Sequence, residues 1–562
     1  MTDRDAAGGP EAGGRPDAAG RPEARGGSDA GGGEVDRRPN VLFVITDQQR
    51  ADHVGFMGNE VVRTPNLDAL AARATVFENA WVSNPVCMPN RSTIMTGRLP
   101  TAHGVIFNDR SLDWGANTFV RQFRAAGYRT ALIGKSHLQH GMSRNAVVAH
   151  RGQPAVASPY PQGWDELEEY ERYLSLDQPA PDPDDFYGFD HIELAIDHGA
   201  RVTGHHLRWA LDRGGRPEDL VVPYGPEAPG RDRSDEWWQV YRPPYGAELH
   251  SSSFVAERTL AFVAEATGQE RPWLAWASFP DPHHPMTPPG EYFDRHRPQD
   301  MAVPATIDDP LDDAPAHLRR IRSVHPRDQR GWVGVCGAGS PRLVQEAVAA
   351  TYGMIEMVDD CVGRILAGVA ESARRSGRDT IVVFTSDHGD MMGDHGLLLK
   401  GFMHYRGTLQ VPLAIAAPGR APARTSSLAS SIDLGPTLLE LCGLGGYDGI
   451  QGRSLVPLLD DPAATVRDHV LIEDDVAPIT ARLAGFPAKT RTLVTENWRY
   501  TRNSTREEQL FDLRADPDER NDLRRDRPEL RAEATARMMD ALIDADDAAR
   551  GAPHAEPVPT GW

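Results

Sequence analysis

Cys87, Pro89 and Arg91 occupy alternate positions in the run Asn84-Pro85-Val86-Cys87-Met88-Pro89-Asn90-Arg91. Proline costs nothing at a helix start, because the first-turn N–H groups have no intrahelical partner. A helix beginning at Pro89 sets Cys87 just before its N-terminus, where the helix dipole stabilises an anion. Arg91, two residues in, reaches back toward the same point. A nucleophile, a dipole and a guanidinium would then act on one anionic group. On geometry alone, a small buried cysteine beside a proline kink is an equal alternative.

That chemistry needs partners, and the sequence offers them after short apolar runs. Val41–Ile45 is followed by Thr46-Asp47-Gln48, and Thr130–Ile133 by Gly134-Lys135-Ser136-His137. Trp273–Ala277 leads to Pro280-Asp281-Pro282-His283-His284, and Ile381–Phe384 to Ser386-Asp387-His388-Gly389. Each run, with Pro412–Ala416, reads as a buried strand. Helical patterns lie between them: one from Thr64-Pro65, one from Asn117 stopped by Gly127, one over 252–266 and one over 341–375. The alternation predicts an α/β fold, a large mostly parallel sheet sandwiched by helices. Ligands of such sheets bind beyond the carboxyl ends of the strands. Asp and Gly are common turn residues, but four strand ends carrying Asp, Gln, Lys and His describe a polar site suited to a metal.

The chain has 562 residues and a net charge of −21, a balance that repels nucleic acid and anionic membranes. No apolar stretch reaches the roughly 18 residues of a membrane helix, and no apolar leader follows Met1. Neither nucleic acid nor membrane is expected as a partner, and the expected compartment is cytoplasmic. The four cysteines are too few and too scattered for a disulfide framework. Residues 1–38, Gly-, Ala-, Asp- and Arg-rich, are expected to be disordered. A catalytic domain is expected over 39–450, with an insertion at about 141–247, rich in Pro, Asp, Tyr and Trp, over the strand ends. A smaller C-terminal α+β subdomain over 451–550 and a tail over 551–562 complete the chain. The tail's Pro557–Trp562 could reach a neighbouring subunit in a homo-oligomer.

Cys87-x-Pro89-x-Arg91 with Thr96-Gly97-Arg98 resembles the signature of the sulfatase family, in the alkaline phosphatase-like superfamily. Further segments fit the same family in order: Gly134-Lys135-Ser136-His137-Leu138, Pro282-His283-His284-Pro285, Ser386-Asp387-His388-Gly389, Lys400, and Gln509–Leu513 in the C-terminal unit. The resemblance implies hydrolysis of a small-molecule sulfate monoester through a covalent sulfo-enzyme. It implies that a maturation enzyme oxidises Cys87 to formylglycine. One divalent cation would be held by Asp47, Gln48, Asp387, His388 and an oxygen of hydrated residue 87. Arg91 and Lys135 would hold residue 87 and the sulfate. His283 or Lys400 would protonate the leaving group, and His137 would help deprotonate the second hydroxyl. His284 cannot be separated from His283 by sequence, and His404 could also reach the site.

Gln48 and His388 depart from the commoner Asp and Asn, and resemble the phosphonate monoester hydrolase and choline sulfatase branch. Ca²⁺ is the usual ion; a histidine nitrogen brings Mn²⁺ or Zn²⁺ into range. A phosphonate monoester or phosphodiester hydrolase of the same fold is the first alternative. A binding protein that keeps the fold without the chemistry is the second.

Overall fold

The computed structural model describes residues 37–549, apart from 109, 142–158, 176–182, 224, 330–334, 477–480 and 483–484. Of the segment 1–38 expected to be disordered, residues 1–36 lie outside the described residues, as does the tail over 551–562. The strands, in chain order, are β1 (Asn40–Thr46), β2 (Thr75–Trp81), β3 (Arg129–Gly134), β4 (His191–Ile196), β5 (Thr203–Gly204), β6 (Trp273–Ser278), β7 (Cys336–Gly337), β8 (Thr380–Ser386), β9 (Leu397–Leu398), β10 (Leu413–Ala416), β11 (Ala423–Ser430), β12 (Val470–Asp475), β13 (Lys489–Val494), β14 (Trp498–Asn503) and β15 (Glu508–Asp512).

Nine of them form one sheet in the order β11-β2-β10-β8-β1-β6-β3-β4-β5. The run β8-β1-β6-β3-β4 is parallel throughout; β10 and β5 pair antiparallel with their neighbours. Alternation along β1 explains why the run is continuously apolar. Val41, Phe43 and Ile45 enter one core with Leu132, Trp276 and Val383, while Leu42 and Val44 enter another with Ala131, Ala275 and Val382. Both faces are covered, so neither alternate position can be polar. The helix Phe119–Ala125 seals the first face through Phe119, Val120 and Phe123. The helices Ser251–Thr267 and Pro341–Ser376 seal the second through Phe254, Val255, Val358 and Val362.

Three sequence expectations shift. The helix expected from Asn117 is capped by Thr118, whose Oγ1 accepts from Arg121 N at 3.1 Å. The helix expected to start at Pro89 starts at Cys87 and runs to Thr96. Proline is tolerated through the whole first turn, so Pro89 does not mark the first residue. The segment 141–247 contributes β4 and β5 to the main sheet, so the strand alternation continues through it.

The C-terminal unit is an antiparallel sheet in the order β12-β13-β14-β15. Leu471, Leu493, Tyr500 and Leu510 pack there with Ala534, Met538 and Ala541 of the helix Pro528–Ala549. Among the described residues, no helix is long and apolar enough to cross a membrane.

Candidate active site

Register brings the strand ends level. Ile45 and Gly134 both lie opposite Ser278, and Thr46 lies opposite Ser386. Bonds across the edge continue the ladder: Lys135 N donates to Ser278 O at 3.0 Å and Asp387 N to Thr46 O at 3.1 Å. Gly134 has φ of 106°, and a Cβ there would sit 1.8 Å from Ser278 O, so only glycine lets β3 turn this close to β6. Gln48 and His137 carry positive φ values of 65° and 56° without being glycine. Such local strain is held where the surrounding structure over-determines it.

Cys87 opens its helix, buried, with Sγ 3.0 Å from His388 Nε2 and 3.6 Å from Asp47 Oδ1. Donor atoms of Asp47, Cys87, Asp387 and His388 all lie within 4.8 Å of one another. His388 Nδ1 donates to Gly389 O at 2.9 Å, which leaves the Nε2 lone pair facing the two carboxylates. Arg91 is buried beneath them. Its Nε donates to Asp387 Oδ2 at 2.7 Å, its Nη2 to Asp47 Oδ2 at 3.4 Å, and its Nη1 to Ser278 Oγ and Lys135 O. Lys135 Nζ donates to Asp47 Oδ2. Gln48 Nε2 is tied to Asp390, so its Oε1 turns inward and accepts from Lys400 Nζ at 2.6 Å. His283 and His284 both face this locus: His283 Nε2 meets Lys400 Nζ, and His284 Nδ1 lies 3.0 Å from Gln48 Oε1.

Charge follows from this packing. Burial alone would raise the Asp47 carboxyl, but Lys135, Arg91 and Lys400 outweigh it and hold it well below the usual carboxylate range. Burial, then the neighbouring cations, hold His137, His283 and His284 neutral. Burial and the Asp47 carboxylate push the Cys87 thiol up to about 11. An unmodified thiol here is therefore a weak nucleophile at neutral pH.

Three groups at this edge escaped the sequence reading: Asp197, His198 and Glu168. His198 follows β4, and its ring stacks on His283 at 3.6 Å between centroids. Glu168 accepts from the backbone N–H groups of His137, Leu138 and Gln139, which fixes the strained turn. His198 had a signal: it is the second residue after a strand, as Gln48 is after β1. His404 is a correction. Its Nδ1 meets Thr492 and its Nε2 meets Asp474, so it faces the C-terminal sheet. His395 pairs with Asp309 and stacks on Tyr405.

A family model for sulfatases matches residues 39–444, and a model for the C-terminal part of N-sulphoglucosamine sulphohydrolase matches 393–547. An arylsulfatase of Clostridium perfringens is 29% identical over 496 residues, covering 86% of this chain and 90% of its own. The choline-sulfatase of Rhizobium meliloti is 27% identical over 492 residues, covering 85% and 81%. The phosphonate monoester hydrolase of Agrobacterium radiobacter superposes with a TM-score of 0.72 at 25% identity, over 90% of this chain and 96% of its own. With the match running through all four strand ends that build the site, the chain belongs to the sulfatase family and is a sulfuric ester hydrolase of alkaline phosphatase-like fold.

Proposed function

We propose that residue 87, as formylglycine, cleaves a small-molecule sulfate monoester with one divalent cation held by Asp47, Gln48, Asp387 and His388. The observation that carries this is the convergence of two carboxylates and an imidazole lone pair on Cys87 within 4.8 Å. That donor set fits one cation, and the Gln48 oxygen is aimed inward by the Asp390 tie. The mixed oxygen and nitrogen donors suit Mn²⁺ or Zn²⁺ beside the family's Ca²⁺. When bound, the cation neutralises sulfate oxygens and lowers the pKa of a hydroxyl.

The chain's own groups do the rest. Hydrated formylglycine carries two hydroxyls on one carbon. One attacks sulfur, the bond from sulfur to the leaving oxygen breaks, and Lys400 supplies that oxygen's proton, directly or through the His283 Nε2 to which it donates. The second hydroxyl then gives its proton to a neutral imidazole, for which the family resemblance offers His137. The carbonyl re-forms and sulfate departs with the electron pair. Arg91 and Lys135 fix residue 87 and Asp47 throughout. Oxidation by a maturation enzyme must precede packing of the helix Cys87–Thr96, because Cys87 is 1% exposed. Four free cysteines suit the reducing cytoplasm.

The tryptic peptide containing residue 87, from protein made in its native host, is expected to weigh about 18 Da less than the cysteine form. An unmodified thiol there sinks this mechanism. Lys400→Ala tests the leaving-group acid. The expected loss of kcat/KM is small for a nitrophenyl sulfate and about 10²–10⁴-fold for an alkyl sulfate. An equal loss across a leaving-group series would remove Lys400 from that role.

The likeness to a phosphonate monoester hydrolase favours one second reading, turnover of phosphonate monoesters or phosphodiesters at the same site. The ratio of kcat/KM for phenyl sulfate and a phenyl phosphonate on one preparation decides between them.

A further inference from the structure

β4 ends at Ile196, and the next two residues bring a carboxylate and an imidazole to the edge where the other strand ends meet. Asp197 has φ of 76°, the left-handed region that costs a non-glycine residue energy. It is held there from both oxygens: Oδ2 accepts from Arg201 Nε at 2.6 Å, and Oδ1 lies 3.2 Å from His198 Nδ1. That second bond puts the proton on Nδ1 and leaves the Nε2 lone pair aimed into the site. Lys135 Nζ donates to it, and Asp47 Oδ2 is 3.8 Å away. A carboxylate that fixes the tautomer of an imidazole beside a nucleophile is the arrangement of a general base.

Distance and availability single out His198. Donor atoms of Asp47, Cys87, His198 and His283 all lie within 4.8 Å of one another. Of the two imidazoles in that set, His283 is committed. Its Nδ1 donates to His284 O, and its Nε2 accepts from Lys400 on the leaving-group side. The His283 ring also lies flat against His198 and so fixes its plane. Among the described residues, His137 Nδ1 is buried with no hydrogen-bond partner, and no carboxylate is bonded to its ring as Asp197 is to that of His198.

We propose that His198, oriented by Asp197, is the base that releases sulfate from residue 87. Its Nε2 takes the proton of the hydroxyl left on the sulfated carbon. That oxygen's electrons form the C=O bond, and the C–O bond to sulfate breaks with its pair leaving on sulfate. Lys135 holds the lone pair in the resting site, and the hydroxyl replaces it as donor. The proposal rests on the formylglycine reading above and replaces His137 in one step of it.

The test is a rapid quench with 4-nitrophenyl sulfate, followed by the mass of the residue 87 peptide. His198→Asn is expected to release about one nitrophenol per modified chain in a burst, then turn over about 10²–10⁴-fold more slowly. Its peptide should carry a sulfo group, about 80 Da, in most molecules. Asp197→Asn keeps the shape, loses the charge, and should show the same adduct with a smaller rate loss. Cation content equal to the parent's separates this from a general collapse of the site. An adduct in His137→Asn and in neither other variant overturns the proposal, as does His198→Asn turning over at the parent rate. If the parent peptide itself lacks the 18 Da loss, the formylglycine reading has failed and the proposal falls with it.

Discussion

Cys87→Ala is expected to lower kcat/KM by about 10⁶-fold, the scale of removing a covalent nucleophile. The fold should survive. The group lost is one sulfur from the cysteine form or one or two oxygens from the formylglycine form, smaller than the truncations that cost about 2–5 kcal/mol in cores. Cys87→Ser makes the sharper comparison. Serine offers one hydroxyl, so it can accept a sulfo group once. Having no second hydroxyl on that carbon, it cannot re-form a carbonyl and expel sulfate. The expected result is a stable adduct of about 80 Da and a single turnover. Sustained turnover by either variant would show that residue 87 is not the nucleophile, and the site would then have to act by direct attack of water.

Which parts of this site could be read from sequence follows from how strands are written. β1, β3, β6 and β8 are buried on both faces, so they appear as unbroken apolar runs, and the residues that follow them are the site's. β4 reads His-Ile-Glu-Leu-Ala-Ile. His191 and Glu193 are only half-buried and bonded to each other, with Glu193 also accepting from Arg258, so the run looks like a polar loop within a Pro- and Asp-rich stretch. Missing β4 meant missing Asp197 and His198. Nothing local announces Glu168, because its role is to accept from three backbone N–H groups about 30 positions earlier. His404 was placed near the site because it lies four residues past Lys400. The chain turns between them, at Gly401 and Phe402 with φ of 77° and 62°, and delivers His404 to the C-terminal sheet instead. The pairing that ties the site together, Arg91 with Asp387, spans 296 positions. Arg91 lies on the helix after β2 and Asp387 just past β8, so only the sheet order, with β2 and β8 on either side of β10, makes those two residues neighbours.

Asp387→Asn probes that tie. Asp387 is shared: Oδ2 accepts from Arg91 Nε, while Oδ1 accepts from Gln48 N at 3.1 Å and lies 3.6 Å from His388 Nε2. Asparagine keeps the shape but must place its NH₂ somewhere. Turned toward Arg91, it sets donor against donor. Turned the other way, it sets a donor where a cation should bind. Both orientations are costly in a fully buried site. Arg91 keeps Asp47, Ser278 and Lys135 as partners, so the expected stability loss is about 3 kcal/mol, the low end for breaking a buried ion pair. Bound cation, measured by elemental analysis after gel filtration, should fall from one per chain to about a tenth or less, with kcat/KM down about 10⁴-fold. Unfolding the chelated proteins separates the two roles of Asp387. If it serves only as a counter-ion to Arg91, the variant loses stability in chelator and still binds the cation. If it serves only as a ligand, parent and variant unfold alike in chelator. Losing both at once is what a carboxylate facing Arg91 with one oxygen and the His388 lone pair with the other must do, because neither oxygen can change without the other.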